Sequence, residues 1–158
     1  MAKQEKTNVM RLLDQKKIEY TMHDYAQSGA IAGEEVARVL DENPEQVFKT
    51  LVTIGKSKQY YVFLVPVCKE LNLKKAASAV GEKSIEMIKS KDLLGLTGYI
   101  HGGCSPIGMK KTFPTTIDAS AEKFERIFFS AGRIGSQVEI GVSDIEKIIR
   151  YKFFEICD

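Results

Sequence analysis

Val47-Phe48-Lys49-Thr50-Leu51-Val52-Thr53-Ile54, followed by Gly55-Lys56-Ser57-Lys58 and then Gln59-Tyr60-Tyr61-Val62-Phe63-Leu64-Val65-Pro66-Val67, decides the fold class. Both runs are rich in β-branched and aromatic residues, and a short turn-forming segment separates them, so they predict a hairpin at the middle of a sheet. Outward from it the pattern is mixed. On the amino-terminal side, Thr7 or Asn8 caps a helix carrying Val9, Met10, Leu12 and Leu13. Ile18, Tyr20 and Met22 then alternate with Glu19, Thr21 and His23 as a half-buried strand would. A loop from Tyr25 to Gly29 and a helix from Gly33 to Leu40, apolar at Val36, Val39 and Leu40, complete that side.

Beyond the hairpin, Leu71 to Val80 with Gly81 behind it predicts a helix with a glycine C-cap. Ser84 to Ile88 predicts a short strand, and Ser90 to Leu96 another helix. Later strands are shorter: Tyr99-Ile100, Thr115 to Ile117, and Arg126 to Ser130 paired with Gln137 to Ile140. Helices are expected at Ala119 to Glu125 and at Ser143 to Arg150, the latter capped by Ser143. Strands and helices at irregular intervals do not match the regular alternation of a doubly wound sheet. The expectation is one α/β (α+β) domain over residues 1–158, a curved mixed sheet or barrel with helices packed outside.

Composition excludes several function classes. The 158 residues carry 23 Lys and Arg against 21 Asp and Glu, a formal charge of +2, far from the basic stripe of a general duplex binder. Any nucleic-acid contact must therefore be local. Residues 1–7 hold no apolar segment for a leader, and the longest apolar run, Tyr60 to Val67, is too short to span a bilayer, so a cytoplasmic location without membrane contact is expected. Three cysteines without a C-x-x-C pair and two distant histidines predict neither disulfides, nor metal, nor cofactor.

Four features carry possible chemistry. Alternation puts Lys49 on the same strand face as Val47 and Leu51, where a lysine must be desolvated, paired or placed at a cavity mouth; the alternative is a solvated face, since strand lysines also protect edges. Gly98-Tyr99-Ile100-His101-Gly102-Gly103-Cys104-Ser105-Pro106-Ile107-Gly108 has four glycines and a proline in eleven positions. Such a loop lets backbone amides approach a phosphate or a carbonyl acquiring charge, or it is a plain turn. It lacks the G-x-x-x-x-G-K-[ST] pattern of a P-loop. Ser130-Ala131-Gly132-Arg133-Ile134-Gly135-Ser136 joins two strands and offers a guanidinium, or is an ordinary hairpin with a solvated arginine. Cys104 with His101 three residues before it suggests a thiol and its base, against inert packing in a tight turn.

Taken in order along the chain, Val47 to Val52 around Lys49, Leu71-Asn72-Leu73-Lys74-Lys75-Ala76-Ala77, the glycine loop through Met109-Lys110-Lys111, and Ser130 to Ile140 resemble the YbaK/EbsC family of free-standing editing proteins. That family is related to the editing domain inserted in some prolyl-tRNA synthetases, and the likeness covers nearly the whole chain. What it implies is a cleft for the 3′ end of an aminoacyl-tRNA and deacylation of cysteinyl-tRNA carrying the proline acceptor. The family's essential lysine falls on Lys49, with Thr50 beside it. Its tyrosine falls on Tyr25, its glycine loop on Gly102 and Gly103, and its late serine and aspartate on Ser130 and Asp144. Where relatives carry an aromatic residue, this chain has Ala32.

Two chemistries fit that resemblance: attack of the cysteinyl thiol on its own ester, or attack of an ordered water, the latter extending to editing of another small amino acid. Binding of an RNA end or nucleotide without turnover, and a Cys104-dependent hydrolase, are readings of another kind. Docking on a prolyl-tRNA synthetase and dimerisation are left open by the sequence.

Overall fold

A computed structural model describes residues 6–158; residues 1–5, within the stretch read as lacking a leader, lie outside it. The central hairpin forms as its composition requires. Strand β2 (Phe48–Gly55) pairs antiparallel with β3 (Tyr60–Pro66), from Phe48 opposite Pro66 to Ile54 opposite Tyr60. The turn closes with the Lys58 N–H donating to Gly55 O (2.9 Å) and the Gly55 N–H donating to Gln59 O (2.8 Å).

β3 is buried along nearly its whole length because both faces are covered. Val62 and Leu64 enter the main core, while Tyr61, Phe63 and Val65 meet Ala76, Ala77 and Ala79. Those alanines belong to helix α3 (Leu73–Val80), and their small side chains let its backbone lie close to the sheet. Asn72 caps α3 by accepting the Lys75 N–H (3.0 Å), and Gly81 ends it at φ +74°, as the C-cap reading predicts.

β2 and β3 belong to a five-stranded sheet that also contains β4 (Ile85–Met87), β5 (Thr115–Asp118) and β8 (Lys152–Phe154), in the order β4-β2-β3-β5-β8. β5 runs parallel to both β3 and β8. A three-stranded antiparallel sheet contains β1 (Tyr20–Asp24), β6 (Arg126–Ser130) and β7 (Ser136–Gly141), with β7 central. The expected continuous sheet is thus two sheets, joined by one parallel bridge between Val47 and Phe128. The ladder stops there because the Gln46 N–H turns back to Asn43 O (2.9 Å), and the Arg126 carbonyl is met by the Gln46 side chain instead (2.8 Å). Helix α1 (Asn8–Gln15) covers the core between the sheets with Val9, Met10 and Leu13, its Thr7 cap accepting the Met10 N–H.

Several expectations are corrected. Helix α2 (Gly33–Val39) buries Val36 and Ala37, whereas Val39 is 48% exposed. On β1, Met22 is 37% exposed, and His23 packs against Phe128 at 5.6 Å while bonding Glu139 at 2.9 Å. β1 is an edge strand paired only with β7, so alternation fixes its faces weakly. Tyr99-Ile100 is not a strand: Tyr99 is buried in a loop and its hydroxyl donates to Ile107 O. The helices expected at Ala119 and Ser143 are 3-10 segments, Ala119–Lys123 and Val142–Lys147, and Ser143 caps neither. Strand β8 went unpredicted because three residues are too few to show a period. Helix α4 (Ser90–Thr97) lies close to its expected place, and no helix among the described residues is long and apolar enough to cross a membrane.

Candidate functional site

A cavity of about 550 Å³ opens between β2, α2, the glycine loop and the β6–β7 hairpin. Each wall follows from local sequence. Val47 to Leu51 all border it, so the cavity reaches both faces at the start of β2. Opposite, Gly33 starts α2 so near β3's continuation that an added Cβ would stand 2.2 Å from Val67 Cγ1. Only glycine admits this approach, and it brings the first turn of α2 to the rim.

Lys49 is more than two-thirds buried, with 29% of its side chain exposed. Its Nζ lies 3.7 Å from Glu70 Oε1, but Glu70 is 86% exposed, so the pair is long and solvent-screened. A lysine held this way offers its charge to a ligand at little cost. Next in the chain, on the opposite face of β2, Thr50 Oγ1 is buried with no hydrogen-bond partner. A buried hydroxyl without a partner carries a desolvation cost of about 1–3 kcal/mol that a ligand can relieve.

Tyr25 is buried at the cavity wall, its N–H donating to Gly135 O (2.8 Å), and burial raises its phenol above the ordinary value. Ser130 borders the cavity and accepts the Gly132 N–H (3.1 Å). Gly102 lines it at φ +88°, where a Cβ would meet Ile31 Cγ2 at 2.8 Å. Gly103 does not line it; its N–H donates to Ile100 O (3.0 Å), and a Cβ there would press on the Arg133 backbone at 3.0 Å. The two glycine-bearing loops are therefore packed together. Arg133 is engaged locally, its Nε donating to Ser136 Oγ (2.8 Å).

Asp144 lies away from the cavity wall. It sits in the 3-10 segment after β7, where Oδ1 accepts from Lys147 Nζ (2.6 Å). Of the residues singled out in the sequence, the fold brings together Lys49, Thr50, Tyr25, Gly102 and Ser130, and leaves Gly103 behind the wall and Asp144 outside it.

His101 and Cys104 both border the cavity. Burial pushes the Cys104 thiol up to about 12, so it stays neutral at physiological pH and is a poor nucleophile. At the rim, Ile31 is exposed beside Ala32, and this apolar pair forms part of the wall.

Sequence reasoning missed Gln137. It is only 2% exposed, borders the cavity, and its Oε1 has no partner. It lies near the side chain of Glu42, a half-buried carboxyl whose Oε1 is likewise buried without a partner. Burial pulls Glu42 above the usual carboxylate range, against the lowering effects of Gln137 and His23. The only sequence signal was a polar residue at the start of a strand, which ordinarily reads as solvated.

A cavity walled by apolar side chains, with Lys49 and Arg38 facing Glu34 and Glu35 and a neutral thiol at Cys104, defines a binding cleft for a polar ligand. Residues 28–148 match the aminoacyl-tRNA editing domain model, and the chain belongs to that family. It is 44% identical, over 97% of its own length and 94% of the other's, to EbsC of Enterococcus faecalis, a protein provisionally named a Cys-tRNA(Pro)/Cys-tRNA(Cys) deacylase. The fold matches the crystal structure of a candidate trans-editing enzyme for prolyl-tRNA synthetase with a TM-score of 0.81, at 18% identity over 98% of this chain and 99% of that one. The crystal structure of a hypothetical protein matches with a TM-score of 0.85, at 17% identity over 96% of this chain and 100% of the other.

Proposed function

We propose that residues 1–158 form a single trans-editing domain that acts in the cytoplasm on the 3′ end of cysteinyl-tRNA, with the proline acceptor as its main substrate and the cysteine acceptor as a second. The observation that carries this reading is Lys49, which borders the cavity mostly buried and with only an exposed partner. The similarity to EbsC, with its printed name, supports the substrate.

An aminoacyl ester is already activated, so the protein needs to orient it and stabilise charge on the carbonyl oxygen. The neutral Cys104 supports a nucleophile brought by the substrate. The cysteinyl thiol, with a reference pKa of about 8.5, loses its proton and attacks its own ester carbon. The carbon–oxygen bond to the ribose breaks, the departing hydroxyl takes up a proton, and a thiolactone remains. Lys49 favours the developing negative charge and holds the terminal ribose or phosphate, and the Gly102 amide faces the carbonyl. Gly103 acts from behind by keeping the loop against the Arg133 turn, since its own amide is taken. Tyr25 and Ser130 bound the substrate. Asp144 binds substrate only if the tRNA body reaches past β7. A net charge of +2 supports weak intrinsic tRNA affinity and docking on a prolyl-tRNA synthetase.

Deacylation of a panel of charged tRNAs by the wild type and by Lys49→Met tests this. Loss of one preorganised electrostatic group costs on the order of 10²–10³ in rate. Cysteinyl-tRNA should be cleared by the wild type and spared by the variant, with seryl-tRNA left intact. Brisk turnover of the serine ester would move the chemistry to water attack, and a wild type that cleared no charged tRNA would end the editing reading.

A further inference from the structure

Resting on the editing function proposed for this cavity, we infer that the acceptor stem of the charged tRNA lies across helix α4, its phosphates held by Lys89 and Lys91 at one end of the helix and by Lys110 and Lys111 at the other. Leu93 of α4, with His101 and Gly102 of the loop that follows, lines the cavity, so this segment is part of the cavity's own rim. Lys89 and Lys91 stand at the start of α4, Lys89 one turn before Leu93. The chain then passes through the glycine loop and returns. The Lys110 N–H donates to Thr97 O (2.9 Å), and Lys110 Cβ lies 3.9 Å from where a Gly98 side chain would begin. Two lysine pairs therefore bracket a helix of 8 residues, about 12 Å long.

All four lysines are exposed, and among the described residues none of them makes an ion pair. Lysines elsewhere do: Lys6 with Asp14, Lys75 with Glu155 and Lys147 with Asp144. Residues 89–111 hold four lysines against Asp92 alone, a net of +3 in a chain whose total is +2. Residues 33–45, α2 and its exit, hold five carboxylates against Arg38, a net of −4, and Glu34 and Glu35 among them border the cavity. The mouth is thus charged unevenly: a polyanion is repelled over α2 and drawn over α4. Backbone phosphates follow one another every few ångströms along a strand and match a row of cations of this length. An acidic protein surface would also pair with four lysines. Only a stem whose 3′ end enters the cavity must cross this rim, and such a contact is as local as the small net charge requires.

The test is steady-state deacylation of cysteinyl-tRNA over a range of salt by Lys89→Glu/Lys91→Glu and by Lys110→Glu/Lys111→Glu. A control, Lys74→Glu/Lys83→Glu, makes the same change of charge on α3 and the turn after it, away from the cavity lining. Each rim variant should raise KM about tenfold or more at low salt, keep kcat within about twofold, and lower the slope of log KM against log salt by about two. The control should stay within about twofold of the wild type, because charges beyond a Debye length are screened. A fall in kcat with KM unchanged would place these lysines in the chemistry, and an equal rise of KM in the control would reduce the effect to net charge; either result overturns the inference. KM unchanged in both rim variants also overturns it, assigns the patch to an acidic protein partner, and leaves the editing function standing. A wild type that deacylates no charged tRNA overturns the editing function and the inference with it.

Discussion

Replacing Gly33 with Ala tests whether the cavity wall is set by the close approach of α2 to the end of the hairpin. The new Cβ would lie 2.2 Å from Val67 Cγ1 and 2.8 Å from Val67 Cβ. Carbon atoms in contact prefer about 3.5–4.0 Å, so something must move by more than about 1 Å. Rotating Val67 relieves only the first contact, because Cβ does not move with χ1. Nor can its backbone easily retreat, since the Val67 N–H donates to Val47 O at 2.8 Å and the side chain is buried. α2 must therefore lift. Overpacking of this kind costs about 1–3 kcal/mol, and the helix propensity gained from alanine returns up to about 1 kcal/mol of it. The net is a loss centred on about 1–2 kcal/mol, or a fall in Tm of roughly 2–8 °C for a chain of this size.

Val67→Ala alone should cost about 1–3 kcal/mol through its missing methyls. Combined with Gly33→Ala it removes the nearest clash, so the double variant should be more stable than the sum of the single losses by about 1 kcal/mol or more. Urea unfolding of the four proteins measures this. Because α2 also brings Glu34, Glu35 and Arg38 to the rim, lifting it should raise KM for charged tRNA more than it lowers kcat. Strictly additive losses, or a Gly33→Ala protein as stable as the wild type, would refute the reasoning.

Two further outcomes are expected. Cys104→Ala should keep cysteinyl-tRNA deacylation within about threefold, because a thiol held neutral by burial is no nucleophile; initial-rate loss of a hundredfold would revive a thiol hydrolase. Asp118 should contribute to acid stability. Burial pushes its carboxyl up, but bonds from Ser120, from the Ile156 N–H (3.0 Å) and from Cys157 outweigh that and hold it below its ordinary value. A depressed carboxylate contributes stability above its unfolded value of about 4 and loses it as pH falls through the folded value. The wild type should therefore lose stability below about pH 4 more steeply than Asp118→Asn, which should be weaker by about 1–2 kcal/mol at pH 7. Parallel acid limbs in urea unfolding would assign the acid sensitivity elsewhere.

What was legible in the chain is what short-range physics decides. β-Branched runs around a tight turn make the central hairpin, and Asn72 and Gly81 bracket α3 because they satisfy orphaned helix ends. The segments that read wrongly are those whose state depends on distant partners. Tyr99 is β-prone, yet it is buried in a loop by its bond to Ile107. Gln137 alternates with Val138 in β7 and so reads as solvated, yet the second sheet face is covered where Glu42 and the cavity meet it.

The sequence by itself determined that the chain is a mixed α/β protein and, through the motifs around Lys49, Leu71 to Ala77, the glycine loop and Ser130 to Ile140 taken in order, that it resembles tRNA-editing proteins. Only the tertiary structure decided which of those residues share a cavity, that Asp144 lies outside it while Gln137 enters, and that Cys104 is a neutral wall residue. The physical reason is range: propensity, period and capping act within a few residues. Burial, charge compensation and the unpartnered state of a polar atom are set by segments as far apart as Thr50 and Gln137.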